Sequence, residues 1–274
     1  MTQAPGSSAI EVRHCDALAQ FEDCLRLEHA VWGHGEDIAV PVPIFAVAHH
    51  TGGQVLGAFA GAEMVGFTLA LHGTRAGKEF LHSHMTAVLP QYRDRGVGRQ
   101  LKLFQRDDAL ARGICLVEWT FDPLELKNAH FNLNRLGAVA RRYLPNIYGI
   151  TNSPLHAGLP TDRLVAEWWL DSPRVKALLD EKDKKDNKDN KPNKPLAETG
   201  PSERFPLPAN IAEIKENDPD AAVRIQTGMR FQFTRAFANG QVATSVEPRV
   251  ARVDYILTPA RQIAGLHLPE PSTH

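Results

Sequence analysis

The stretch from Leu81 to Arg112, LHSHMTAVLPQYRDRGVGRQLKLFQRDDALAR, limits what this chain can fold into more than any other. It alternates as a strand to Val88, breaks at Pro90, which lacks the N–H that a ladder needs, and resumes with helical periodicity near Gly96. Between them lies Arg93-Asp94-Arg95-Gly96-Val97-Gly98. The first-turn N–H groups of a helix have no carbonyl partners and together carry about half a positive charge. Glycines let a ligand approach the backbone closely, and Arg93, Arg95, Arg99 and Lys102 add full charges. The stretch predicts an anion cradle whose natural guest is phosphate.

The flanking sequence supplies a sheet for it. Downstream of Gly113, Ile114 to Phe121 is a β-rich run stopped by Asp122-Pro123, so a strand-helix-strand unit is expected, with parallel strands and the helix start at their carboxyl edge. Upstream, Val55–Ala60 and Met64–Leu71 flank Gly61-Ala62-Glu63 as a hairpin, and a loop from Gly73 to Lys78 leads into Phe80–Val88. Ile10–His14 reads as a first strand. Asp16 is placed to cap a helix from Ala17 to Trp32, whose stripe is Leu18, Phe21, Leu25 and Trp32, interrupted by Glu28. Pro41 and Pro43 open a short segment to His50.

Beyond the second strand, Leu124–Leu136 reads as a helix closed by Gly137, Ala138–Tyr143 and Arg163–Leu170 as strands, and Trp168 and Trp169 as core and surface packing. Residues 180–204, with interleaved Lys, Asp, Asn and Pro, are expected to form a disordered charged loop. Asp218-Pro219 caps a long helix to Phe237, with Val223, Met229, Phe233 and Phe237 on its apolar side, and two strands close the chain at Gln241–Val246 and Val250–Leu257.

With 43% hydrophobic residues over 274 positions, the chain has ample material for a core. A net charge of −1 argues against bulk binding to nucleic acid or anionic membrane and leaves room for a local basic patch. Cys15, Cys24 and Cys115 are an odd count without CxxC spacing, which points to reduced thiols rather than disulfides or a zinc site. Met1–Ser8 has no basic start followed by an apolar core, and no apolar run approaches about 18 residues. The expectation is a cytoplasmic enzyme that binds neither membrane nor nucleic acid and holds no metal.

The strand, the RxxGxG turn, the helix, and the following strand and Asn128-bearing helix come in the order that resembles the GNAT superfamily of coenzyme-A-dependent N-acyltransferases. The resemblance covers Ile10 to Leu170; residues 205–258 lie outside the minimal domain and are similar to an elaboration in a poorly characterised bacterial branch of the family. It implies an α/β (α+β) fold with a mixed, mostly antiparallel sheet. A core over 8–170 would be followed by the charged loop at 180–204, then by a C-terminal strand-helix-strand-strand elaboration packed on that core. It also implies that Arg93, Arg95, Gly96, Val97, Gly98 and Arg99 wrap the pyrophosphate of acetyl-CoA or another acyl-CoA. Val88 and Leu89 would bind the pantetheine arm, and Asn128 would face the cofactor. A backbone N–H at the strand end would polarise the thioester carbonyl.

The acceptor amine must lose a proton. His82, His84 and Thr86 share a strand face by period two, and His82 stands about where some relatives keep a carboxylate base; packing is the competing reading for each histidine. Glu118, inside an apolar strand, is a second candidate, since a carboxylate there must be paired, exposed or functional. Relatives often protonate the leaving thiolate from a tyrosine four residues before the closing glycine, where this chain has Leu133; Tyr143 or Tyr148 would have to substitute. The sequence thus predicts acyl transfer, acetyl by default with succinyl as an alternative, to a small amine or amino acid. A coenzyme-A-binding sensor that has lost catalysis is the rival, and homodimerisation is left open. A nucleotide-binding enzyme is disfavoured because neither GxGxxG nor GxxxxGK[ST] is present.

Overall fold

A computed structural model describes residues 9–33, 39–150, 158–183 and 202–266. The described residues group into two compact units divided between Val117 and Glu118. In the first, strands β1 (Ile10–His14), β2 (Gln54–Ala60), β3 (Glu63–Arg75) and β4 (Lys78–Val88) pair antiparallel in that order. The loop expected over Gly73–Lys78 is instead strand on both sides of a tight turn, because Ala76 and Gly77 both adopt positive φ (49° and 74°), which twists a two-residue hairpin correctly.

Apolar side chains leave this sheet on both faces. Helices α1 (Leu18–Trp32) and α2 (Val42–His50) cover one face, packing Phe21, Cys24, Leu27 and Phe45 against Val55, Phe59, Phe67, Leu69 and Ala87. Helix α3 (Val97–Ala111) covers the other, where Val97 and Leu101 meet Leu56, Ala58 and Val65. Two readings of α1 change. Its N-terminus is tied by Gln20, whose Oε1 accepts from the N–H groups of Asp16 (2.9 Å) and Ala17 (3.1 Å), so Asp16 is not the cap. Its buried face is Phe21, Cys24, Leu27 and Glu28, while Leu18 and Trp32 are exposed. Glu28 is tolerated inside because its Oε1 accepts the Val40 N–H at 3.0 Å, and burial raises its pKa.

The second unit contains β5 (Leu116–Phe121, whose first two residues belong to the first unit), α4 (Leu126–His130), β6 (Val139–Leu144), β7 (Arg163–Trp169) and α5 (Pro173–Asp183). It continues with β8 (Glu203–Pro208), α6 (Ile211–Asn217), α7 (Pro219–Ala238), β9 (Gln241–Pro248) and β10 (Arg252–Pro259). Its strands lie in the order β5-β7-β6-β9-β10-β8. Residues 203–259 thus share a sheet with residues 116–169, through antiparallel pairing of β9 with β6. The core gathers on Phe233, with the rings of Tyr143, Phe205, Phe237 and Tyr255 at centroid distances of 5.2–5.9 Å. Both Trp168 and Trp169 are buried, so the surface role expected for one of them does not hold. On α7, Val223 is exposed and Ala222 takes its place in the stripe.

The charged loop expected over 180–204 falls mostly on residues 184–201, outside the described residues; at its ends, 180–183 close α5 and Glu203-Arg204 open β8. Among the described residues no helix is long and apolar enough to cross a membrane, and no group of His, Cys, Asp or Glu could hold a metal ion.

Gly53 closes the turn before β2, its N–H bonded to the Ala48 carbonyl at 2.7 Å. A Cβ there would press on the Ala70 carbonyl oxygen and lie 2.7 Å from that of Ala48. Gly53→Ala should therefore lower the unfolding free energy by about 1–3 kcal/mol, as overpacking does, read as a lower urea midpoint with an unchanged slope.

Candidate active site

After Val88 the backbone makes a single 3-10 turn over Pro90–Tyr92 and enters α3 through Gly96, whose φ of 80° is left-handed and suits glycine. The first bond of the helix runs from the Gln100 N–H to the Gly96 carbonyl at 2.9 Å, so Val97 and Gly98 have no carbonyl one turn back. Gly96 has no side chain to accept from them. Space over the turn is open, since a Cβ at Gly96 would meet nothing within 4 Å and one at Gly98 only Val88 Cγ2, at 3.9 Å.

The arginines frame this opening. Arg93 donates from Nε to the Val88 carbonyl at 3.2 Å, Arg95 lies over the Tyr92 ring at 5.5 Å, both exposed, and Arg99 is half-buried. Lys102 does not join them. It is buried on the sheet side of α3, where its Nζ donates to Ser83 Oγ (2.8 Å) and to Gln105 Oε1 (3.0 Å), and burial lowers its pKa to about 7. The expectation that Lys102 charges the cradle is corrected. Spacing carried the signal: Gly98, Lys102, Gln105 and Ala109 fall on one stripe of α3, beside Leu101.

β4 carries a second correction. Its register against β3 shifts between Leu69↔Met85 and Ala70↔Ser83, leaving His84 as an extra, unpaired residue. Side-chain parity therefore reverses at His84. Ser83 meets α3, while Met85 and Ala87 pack on the α1/α2 side, and Thr86 hydrogen-bonds Thr68 Oγ1 at 2.7 Å on the α3 side. His82, next to Ser83, is directed to the α1/α2 side. His82 and Thr86 thus lie on opposite faces, contrary to the period-two reading. His82 and His84 stay close, with ring centroids 6.5 Å apart, and His84 is exposed. Desolvation, followed by the charge of His82, lowers the pKa of His84.

The remaining candidates belong to the second unit. Asn128 is exposed on α4, whose last turn widens into a π-helical turn over Phe131–Arg135. This turn is pinned by Arg174, which donates to the carbonyls of Leu133 (3.2 Å), Gly137 (3.1 Å) and Thr244 (2.6 Å), and by the Asn134 amide, which pairs with the Val246 backbone at 3.1 and 2.9 Å. Glu118 is buried and ion-paired with Arg142, which also contacts Glu167 at 3.3 Å. Tyr143 donates its hydroxyl proton to the fully buried Asp162 at 2.7 Å, and desolvation raises its pKa. Asp162, missed in the sequence because it sits in a loop, also binds Arg230 at 2.8 and 2.9 Å and the Asn146 N–H at 3.0 Å. Tyr148 is about half exposed, and its hydroxyl shares a hydrogen bond with Thr120 Oγ1 at 2.9 Å. Leu133, at the position expected for an acid, is fully buried.

No family profile matches the chain, and no curated protein matches it. Among solved structures it is similar to the ribosomal-protein-S18-alanine N-acetyltransferase of Escherichia coli, at 15% identity and a TM-score of 0.47 over 58% of this chain and 92% of that one. It is also similar to Arabidopsis thaliana Naa50 in complex with a bisubstrate analogue (14%, TM-score 0.47, 58% of this chain and 97% of that one). A third is Ard1 from Thermoplasma volcanium (15%, TM-score 0.45, 58% and 96%). Each of the three lies below a TM-score of 0.5, and the functional reading rests on the geometry of the site.

The Lys102 placement has a measurable consequence. Between about pH 7, its folded pKa, and its usual value near 10.5, the unfolded chain holds a proton that the folded one has lost, so stability rises with pH across that window. The slope from this group is at most about 1.4 kcal/mol per pH unit. Urea melts of wild type and Lys102→Met should therefore diverge with pH, the wild type gaining relative to the variant from pH 7 to 10; parallel curves would place the lysine in water.

Proposed function

We propose that the chain transfers an acyl group from an acyl-coenzyme A, acetyl by default and succinyl as the larger alternative, to a primary amine of a small molecule or amino acid. The turn at Gly96 carries this reading. The N–H groups of Val97 and Gly98 lie ahead of the first helical hydrogen bond, under open space and between arginines, as a pyrophosphate requires. Arg93, Arg95 and Arg99 supply the countercharge.

From this turn the pantetheine arm would run back along Leu89 and Val88 toward the bulge at His84. At about 3.3 Å per strand residue, that path is comparable with an extended pantetheine. The bulge matters because an unpaired strand residue leaves backbone polar groups free, and an N–H aimed at the thioester carbonyl would stabilise the oxyanion. The amine attacks the carbonyl directly, without a covalent enzyme intermediate. Desolvation lowers the pKa of His84, which favours its neutral form, and it or its neighbour His82 is proposed to take the amine's proton. Glu118 remains the second candidate, with its ion pair to Arg142 to be broken first. Of the tyrosines, Tyr148 keeps the accessible hydroxyl, whereas the Tyr143 proton is committed to Asp162. The enzyme is proposed to act in the cytoplasm.

Release of free thiol from acetyl- or succinyl-coenzyme A, followed across a panel of amino acids and alkyl diamines, tests the reaction. Amine-dependent release is expected, and tight coenzyme A binding without turnover would indicate the sensor instead. Gly96→Glu sets bulk and negative charge against the pyrophosphate and should weaken coenzyme A binding at least tenfold, about 1.4 kcal/mol, by calorimetry. An unchanged dissociation constant would sink the cradle.

A further inference from the structure

The acyltransferase reading leaves the departing thiolate Tyr148 as its candidate acid, since Leu133 is apolar and buried and the Tyr143 proton is bound to Asp162. A different pair stands beside the bulge. Ser83 precedes the unpaired His84 on β4, faces α3, the helix whose first turn forms the cradle, and receives a hydrogen bond from Lys102 Nζ at 2.8 Å. Lys102 is held from its other side by Gln105 Oε1 at 3.0 Å, which fixes the direction of its donors.

We propose that Ser83 and Lys102 form a proton relay to the leaving group, with Ser83 Oγ touching the thioester sulfur and Lys102 acting through it as the positioning and proton-supplying residue; this rests on the acyltransferase reading. When the tetrahedral adduct collapses, the C–S bond breaks and its electron pair goes to sulfur. The Ser83 hydroxyl gives its proton to the thiolate and takes one from the Lys102 ammonium. Lys102, left neutral, is reprotonated from solvent, and the proton lost by the attacking amine leaves to solvent through His84, the residue next to Ser83.

The chemistry of Lys102 suits this. A pKa of about 7 lets it hold a proton and give it up near neutrality, which an ordinary lysine cannot do. Charged groups elsewhere on α3 and β3 are engaged with one another. Asp108, further along α3, is taken by His14 (3.1 Å), Arg112 and Gln54 (2.6 Å), and His72 of β3 contacts Glu79 (3.3 Å). Ser83 of β4 and Gln105 of α3, which accept from its Nζ, carry no charge.

Lys102→Met and Ser83→Ala test it, each compared with wild type using acetyl-coenzyme A and its selenoester analogue. A selenol is a far stronger acid than a thiol, so selenolate leaves without a proton. With the thioester, kcat should fall roughly 100-fold in each variant, the low end for a positioned general acid, while the dissociation constant of coenzyme A stays within about threefold. With the selenoester the deficit should shrink to a few fold. An equal deficit with both donors, or an undiminished kcat with the thioester, would overturn the relay while leaving acyl transfer standing. Absence of wild-type turnover with either donor would overturn both.

Discussion

The extra residue in β4 decides what its neighbours can do. Were His84 paired like its neighbours, strict alternation would keep His82 and Thr86 on one face and carry Ser83 to the same side as Met85. With His84 bulged out of the ladder, Ser83 and Thr86 both face α3, whereas Met85 and Ala87 fill the core under α1 and α2. A one-residue slip that exchanged these sets would turn apolar side chains outward and hydroxyls into the α1/α2 core, so the register is held by packing. β3 has its own irregularity between the residues opposite Ala58 and Phe59, and there the Val65 carbonyl accepts the Leu89 N–H at 3.0 Å. The strand's exit toward Gly96 is anchored to its neighbour at this point. The direction in which the chain enters the cradle thus depends on two bulges and the packing beneath them.

The second unit solves a different problem, that of holding loops and helix ends by buried charge. Arg174 satisfies three carbonyls around the π-helical turn, and Lys215 of α6 reaches Asp122 (3.5 Å) and Glu125 (2.8 Å) just before α4. Tyr255 of β10 donates to the Pro123 carbonyl at 2.7 Å. A helix end or a proline-bearing loop leaves carbonyls without partners, and burying them unpaired would cost about 1–3 kcal/mol each. The residues that meet this need come largely from α5, α6 and β10, so the segment carrying Asn128 depends on sequence far downstream. Asp162 does the same for the loop between β6 and β7, receiving bonds from Tyr143, Arg230 and the Asn146 backbone.

Local pattern made the strand-turn-helix legible because its signals are all short-range: alternation to Val88, a proline, and glycine at a left-handed N-cap. The bulge at His84 was not legible, since a bulge replaces one residue's pairing and leaves composition unchanged. The face of α1 was misjudged for a related reason. Glu28 reads as a break in an apolar stripe until the Val40 N–H, twelve residues on, is known to satisfy it. α5 escaped the pattern because it abuts the charged, proline-containing stretch, whose composition dominated the window. The roles of Asp162 and Arg174 rest on contacts spanning 68 and 70 residues, to Arg230 and Thr244, which no periodicity reports. Lys102 is an intermediate case: its spacing placed it on the inner stripe, but the habit of reading lysine as surface charge assigned it to the phosphate.

That assignment matters for how α3 divides its work. An arginine fork at the helix start remains charged at any physiological pH and suits a permanent dianion. A lysine one turn further in, desolvated against the sheet, loses the certainty of its charge and gains the ability to exchange a proton near pH 7. Burying an ammonium costs far more than burying a methionine of similar length, so packing alone does not account for a lysine at this position. The same helix therefore presents two electrostatic environments about one turn apart: a solvated end that holds negative charge in place, and a dry flank where a proton can move.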